Sequence, residues 1–147
     1  MKLILLVDDS RFMRMANEKA LAKAGYTVFT ASDGEEALVI ARARIPDLIL
    51  LDMLLPKLGG LEVLQELKKG ALTAAIPVIV MSSLPQKNEA KLMKAGATAY
   101  IEKSTMELDR RSESLLNIVK TTLDGVPVPE IEVPRPTGSA VARSWPT

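Results

Sequence analysis

Apolar residues crowd into five short runs along the chain: KLILLV (2–7), YTVFTA (26–31), DLILLD (47–52), PVIVMS (77–82) and TAYIEK (98–103). A continuous apolar run of this length, bounded by turn residues, reads as a strand buried on both faces. The stretches between them carry helical spacing and helical punctuation. SRFMRMANEKALAKAG offers Ser10 as an N-cap and stops on Gly25. SDGEEALVIARAR has Ser32 or Asp33 at its cap, with early acids that suit the helix dipole, and ends before Ile45-Pro46. GGLEVLQELKKG sets Leu61, Leu64 and Leu67 on one face, with lysines in its last turn. LPQKNEAKLMKAG ends on Gly96, and a last helical segment runs from about 105 to 123.

Strands alternating with helices of this length imply right-handed parallel crossovers. The expected fold is therefore α/β, a doubly wound five-stranded parallel sheet flanked by five helices, filling residues 1–123. The pattern changes after Asp124-Gly125. Residues 124–147 hold five of the nine prolines and show no apolar period, so they read as an extended tail. That tail is a linker to a further domain, a docking segment, or inert.

Composition narrows the chemistry more than the fold. Nineteen basic and eighteen acidic residues give a net charge of +1, so neither a nucleic acid nor a membrane is expected as partner. With no cysteine and no histidine, thiol catalysis, thiolate metal sites, nitrogen-ligated zinc and a histidine base are excluded. The N-terminal run reaches Asp8 and Asp9 too soon for a signal peptide or a span, and a cytoplasmic protein is the expectation.

In open α/β sheets, ligands gather outside the carboxyl ends of the strands. There the sequence places Asp8 and Asp9 after the first strand, Asp52 at the end of the third, Ser82 at the end of the fourth and Lys103 at the end of the fifth. Singly, each has a plain reading as a turn, a solvated strand end or a surface lysine. Together they are three carboxylates, a hydroxyl and an ammonium in one crevice. Three acids in so small a volume call for a cation, and an all-oxygen donor set selects a hard one such as Mg2+.

This set, in this order, resembles the response-regulator receiver domain of two-component signalling, the CheY-like (flavodoxin-like) fold. DMLLPKLGG (52–60) is similar to the segment that carries the family's phosphoacceptor. The resemblance implies that Asp52 accepts a phosphoryl group from a sensor histidine kinase or phosphotransfer protein. It implies that Asp8, Asp9, Asp52 and the Leu54 carbonyl hold Mg2+, that Lys103 and Ser82 bind the phosphate, and that Tyr100 is an aromatic switch. Leu54 and Leu84 stand where the family tunes dephosphorylation; both are apolar, which points to a slow loss of the phosphoryl group. Output would pass to an unknown protein target, or to a homodimer, through the fourth helix, fifth strand and fifth helix. Lys87, Lys91 and Lys94 form a basic stripe on that fourth helix and read first as a solvated face.

The resemblance makes the chain a single-domain switch, with at most self-catalysed phosphorylation and dephosphorylation, and not an enzyme. Ser104 departs from the family's proline after a cis bond. A cis bond without proline costs roughly 2.5–4 kcal/mol, so a trans or strained bond is expected. The alternatives are a degenerate receiver acting as a constitutive interaction module, which Ser104 favours, and a Mg2+-dependent aspartyl-phosphate phosphatase. The phosphatase reading wants a second acid where Leu54 stands.

Overall fold

Each apolar run becomes a strand that starts one residue later than the run itself. The computed structural model describes residues 2–82, 89–103 and 113–124. Within them the elements are β1 (Leu3–Val7), α1 (Arg11–Lys23), β2 (Thr27–Ala31), α2 (Gly34–Arg44) and β3 (Leu48–Asp52). They continue with α3 (Gly60–Lys69), β4 (Val78–Ser82), α4 (Glu89–Lys94), β5 (Ala99–Glu102) and α5 (Glu113–Leu123). The residue just before a strand still joins the ladder on one side: the Ile49 amide donates to the Pro77 carbonyl and the Thr98 amide to Val78.

The five strands form one parallel sheet in the order β2-β1-β3-β4-β5. The chain winds outward from β1 to β2, then returns past β1 to build β3, β4 and β5. The sheet therefore changes its winding direction between β1 and β3, and a crevice opens at their carboxyl ends. The central strands β3 and β4 are buried throughout, while β2 is an edge with its first residue exposed. Leu48, Ile49, Leu50 and Leu51 are all fully buried. Cutting one such leucine to alanine costs about 2–5 kcal/mol.

The helices follow their punctuation. Ser10 caps α1, its hydroxyl accepting from the Met13 amide, and Asp33 rather than Ser32 caps α2, accepting from the Glu36 amide. On α3 the buried face is Gly60, Val63, Leu64 and Leu67; Leu61 is only partly buried. Lys68, one of the lysines in the last turn of α3, donates to the Ala74 and Ile76 carbonyls at 3.0 Å each. Burial lowers its ammonium below the ordinary lysine value.

One correction concerns the chain's later part. Lys103 lies past the end of β5, already in helical conformation, so the fifth strand stops at Glu102. The starts of the fourth and fifth helices, the Lys103-Ser104 bond, Leu84, Lys87 and the tail beyond Asp124 lie outside the described residues. Among the described residues, no helix is long and apolar enough to cross a membrane.

Candidate functional site: an acidic crevice closed by a lysine

The opening segment of this crevice is a greasy strand that ends on a carboxylate. β3 delivers Asp52 almost fully buried, in register with Met81 of β4. The chain then turns sharply, and the Leu54 amide folds back to donate to Asp52 Oδ1 at 3.2 Å. Lys57 takes a left-handed conformation (φ 68°) in this turn, and its ammonium stands 3.5 Å from Asp33. The turn closes on Gly60, whose amide donates to the Met53 carbonyl at 3.0 Å. A Cβ at Gly60 would lie 2.5 Å from the Asp52 carbonyl oxygen, so only glycine lets α3 start this close to the acid.

β1 delivers Asp8 fully buried and Asp9 exposed at the rim. One carboxylate oxygen from each of Asp8, Asp9 and Asp52 falls within 4.8 Å of the others, so the three acids can ligate one ion. Lys103 reaches in from the far side. Its ammonium is 2.8 Å from Asp52 Oδ2, 3.3 Å from Asp8 Oδ1 and 3.2 Å from Asp8 Oδ2. The last contact is an ion pair without hydrogen-bond geometry, which leaves Asp8 Oδ2 buried with no proton donated to it.

The electrostatics follow from that burial. Desolvation, joined by the Asp8 charge, outweighs the pull of the Lys103 ammonium and the Leu54 amide and leaves the Asp52 carboxyl raised from 3.8 to about 6. Burial also disfavours the Lys103 charge, but its bonds to Asp52 and Asp8 outweigh that and raise it above the ordinary lysine value. One ammonium shared by two buried acids undercompensates the crevice. A hard divalent ion suits the remainder: three oxygen donors within reach of one another, one of them an orphaned buried oxygen.

The other anticipated residues are placed around this centre. Ser82 ends β4 fully buried, in register with Glu102 of β5. Tyr100 is packed into the core at 9% exposed, in register with Val80. Leu54 is 54% exposed beside Asp52, and the contact it makes to that acid is through its amide. Lys91 and Lys94 are exposed on α4.

Arg14 was not legible as part of the site. Its guanidinium donates to the Asp8 carbonyl at 2.8 Å, while the Ser10 amide donates to Asp8 Oδ1 at 2.9 Å. The available signal was charge placement: the first turn of α1 carries no acid, although the helix dipole favours one there.

Known proteins resemble this chain in sequence and in fold. Residues 4–113 match the family described as "Response regulator receiver domain". A probable transcriptional regulator, ycf27, of Porphyra purpurea is 40% identical over 129 residues, covering 84% of this chain and 52% of its own. The alkaline phosphatase synthesis transcriptional regulatory protein PhoP of Bacillus subtilis (strain 168) is 38% identical, covering 78% of this chain and 48% of its own. Among solved structures, a CheY-like receiver domain protein from Methanospirillum hungatei JF-1 superposes with a TM-score of 0.75 at 30% identity. It covers 84% of this chain and 94% of its own. The Vibrio cholerae chemotaxis protein CheY4 does so with 0.73 at 29%, covering 82% of this chain and 97% of its own.

The chain belongs to the response regulator receiver domain family, and so carries the receiver domain of a two-component response regulator. It spans about half the length of the curated relatives it matches.

Proposed function

We propose that this receiver is a phosphorylation switch in which Asp52 accepts a phosphoryl group from a histidine kinase or phosphotransfer protein. The observation that carries the reading is the Asp52 carboxylate held 2.8 Å from the Lys103 ammonium, with Asp8 and Asp9 within ligating distance.

Asp52 attacks phosphorus through a carboxylate oxygen. An O–P bond forms, the donor's P–N or P–O bond breaks, and the leaving group keeps the bonding pair. The Leu54 amide steadies Oδ1 of the nucleophile. Lys103 stands where its charge balances the phosphoryl oxygens, and Ser82, at the buried end of β4, supplies a hydroxyl to the bound phosphate. Asp8, Asp9, Asp52 and the Leu54 carbonyl would hold Mg2+. Bound there, it offsets the charge of the acids and of the transferring group. The chain consumes one phosphoryl group per event and turns over no substrate, so it is a phosphoacceptor and not an enzyme.

The adduct adds negative charge at one buried point and shifts the balance between two arrangements of Ser82, Tyr100 and α4. Output passes through protein contacts on the face of α4, β5 and α5, to a downstream protein or a second copy. The near-neutral charge of this chain supports a protein partner over a nucleic acid for these residues.

Incubation with Mg2+ and acetyl phosphate or phosphoramidate, followed by intact-mass measurement, tests the reading. We expect one phosphoryl group, lost in Asp52→Ala and absent without the metal. A wild-type chain of unchanged mass would overturn it in favour of a constitutive interaction module.

A further inference from the structure

The two acids that follow β1 are held very differently. Asp8 is fully buried and held by several bonds. Its amide donates to the Ala31 carbonyl at 3.1 Å, its Oδ1 accepts from the Ser10 amide at 2.9 Å, and Lys103 pairs with its carboxylate. Asp9 is exposed, and among the described residues no hydrogen bond or ion pair reaches its side chain. One of its carboxylate oxygens nevertheless lies within 4.8 Å of those of Asp8 and Asp52.

That aim comes from the backbone. An aspartate side chain is short and has only a few staggered positions, so its carboxylate goes where the Cα–Cβ bond points. The Asp8 carbonyl and the Asp9 amide belong to one planar peptide unit. Rotating that unit changes φ at Asp9 and swings its side chain. The Arg14 guanidinium donates to the Asp8 carbonyl at 2.8 Å and so fixes the rotation. Arg14 is itself anchored. It is partly buried in the first turn of α1, its amide donates to the Ser10 carbonyl at 2.8 Å, and the Ser10 hydroxyl caps the helix.

We propose that Arg14 is a positioning residue for the divalent cation: by holding the Asp8–Asp9 peptide it keeps the Asp9 carboxylate turned toward Asp8 and Asp52. This inference rests on the metal-binding part of the proposed function. Charge cannot be the means. A guanidinium next to the acids repels a second cation, so its charge alone makes Arg14 a hindrance to Mg2+. Whatever Arg14 adds to ion binding comes through its hydrogen bond, and the sign of the effect separates the two.

The rise of melting temperature with Mg2+ concentration, with no phosphodonor present, gives Kd for each chain. Arg14→Met keeps an apolar stem but loses the donor and the charge. Its Kd is expected to rise about tenfold, the low end of what removing a metal ligand's supporting hydrogen bond costs. Arg14→Gln, neutral and shorter, is the second loss variant should Arg14→Met not fold. The contact is a single N–H···O bond and not a fork, so Arg14→Lys should restore most of the affinity.

Thr73→Ala separates aim from general loosening. It removes a buried bond from the Thr73 hydroxyl to the Leu67 carbonyl, before β4 and at the amino end of the sheet. It should lower the metal-free melting temperature and leave Kd unchanged. A loss variant that binds Mg2+ as tightly as wild type, or more tightly, overturns the proposal and leaves the metal site standing. An Arg14→Lys chain as weak as the loss variant, or a Thr73→Ala chain equally weakened, overturns it too. A wild-type chain that binds no Mg2+ overturns the proposal together with the metal site beneath it.

Discussion

The Lys103 ammonium lies 2.8 Å from Asp52 Oδ2 although β4 stands between β3 and β5 in the sheet. The pair therefore bridges over the carboxyl end of an intervening strand, with Ser82 at the end of that strand. Both side chains are nearly removed from solvent, at 12% and 4% exposed, so bulk screening weakens their attraction little. Removing one partner leaves the other charge buried. Lys103→Met is expected to lower stability by about 2–4 kcal/mol at pH 7. The loss should shrink at pH 5, where Asp52 takes up a proton in its place. Urea denaturation at the two pH values measures both.

Asp52→Asn should act in the opposite direction. A carboxyl whose folded value is about 6, against 3.8 ordinarily, favours folding while it is protonated. That contribution is full below the unfolded value and is lost as pH rises through about 6. At pH 7 the ionised acid therefore opposes folding, and Asp52→Asn should gain about 1–3 kcal/mol. The wild-type chain should lose stability between pH 5 and pH 7 relative to the variant. Parallel thermal melts across that window decide it, and parallel pH slopes would refute the account.

Magnesium should stabilise the wild-type fold by linkage. An ion that binds only the folded chain adds about 2.7 kcal/mol at a hundred times its Kd. Asp9→Asn should abolish most of that gain while leaving the metal-free melting temperature nearly unchanged, because Asp9 is exposed. Melts with and without Mg2+ read both quantities.

Gly60→Ala should damage the site through the backbone. The added methyl meets the Asp52 carbonyl and Met53, neither of which is a flexible side-chain end. We expect a loss of about 1–3 kcal/mol in stability, and slower phosphoryl uptake from acetyl phosphate as Asp52 shifts.

Leu54→Asn should shorten the life of the phosphoryl group. Leu54 stands half exposed beside Asp52 and offers no side-chain donor or acceptor to water. An asparagine able to orient water should raise the hydrolysis rate about tenfold, or ~1.4 kcal/mol in barrier. The decay of phosphorylated protein, followed by mass, checks this.

Most of the sheet could be read in advance because β1 is apolar throughout and β3 and β4 are apolar up to their last residue, and a strand covered on both faces has no competing pattern. The acids were readable for the converse reason. A buried run has little cause to end in a carboxylate, so Asp8 and Asp52 stood out. Lys103 was placed one residue too deep in its strand, since one-dimensional polarity does not mark where ladder bonding stops. Lys68 and Arg14 were missed because a long cationic side chain satisfies backbone carbonyls several residues away, at 74, 76 and 8, and that partnership leaves no periodic trace. Asn17 is buried on α1 with its Nδ2 unpaired; nothing in the structure explains it.

The span over β4 also fixes how news of a modification would travel. An adduct on Asp52 would lengthen the tie to Lys103, whose anchors are the last residue of β3 and the first residue past β5, above the buried strand β4. The displacement would then fall first on the two ends of the tie, at the turn after β3 and at Lys103. On the proposed reading, strain would enter this domain at the carboxyl margin of the sheet, so a partner sensing that margin would respond ahead of the interior.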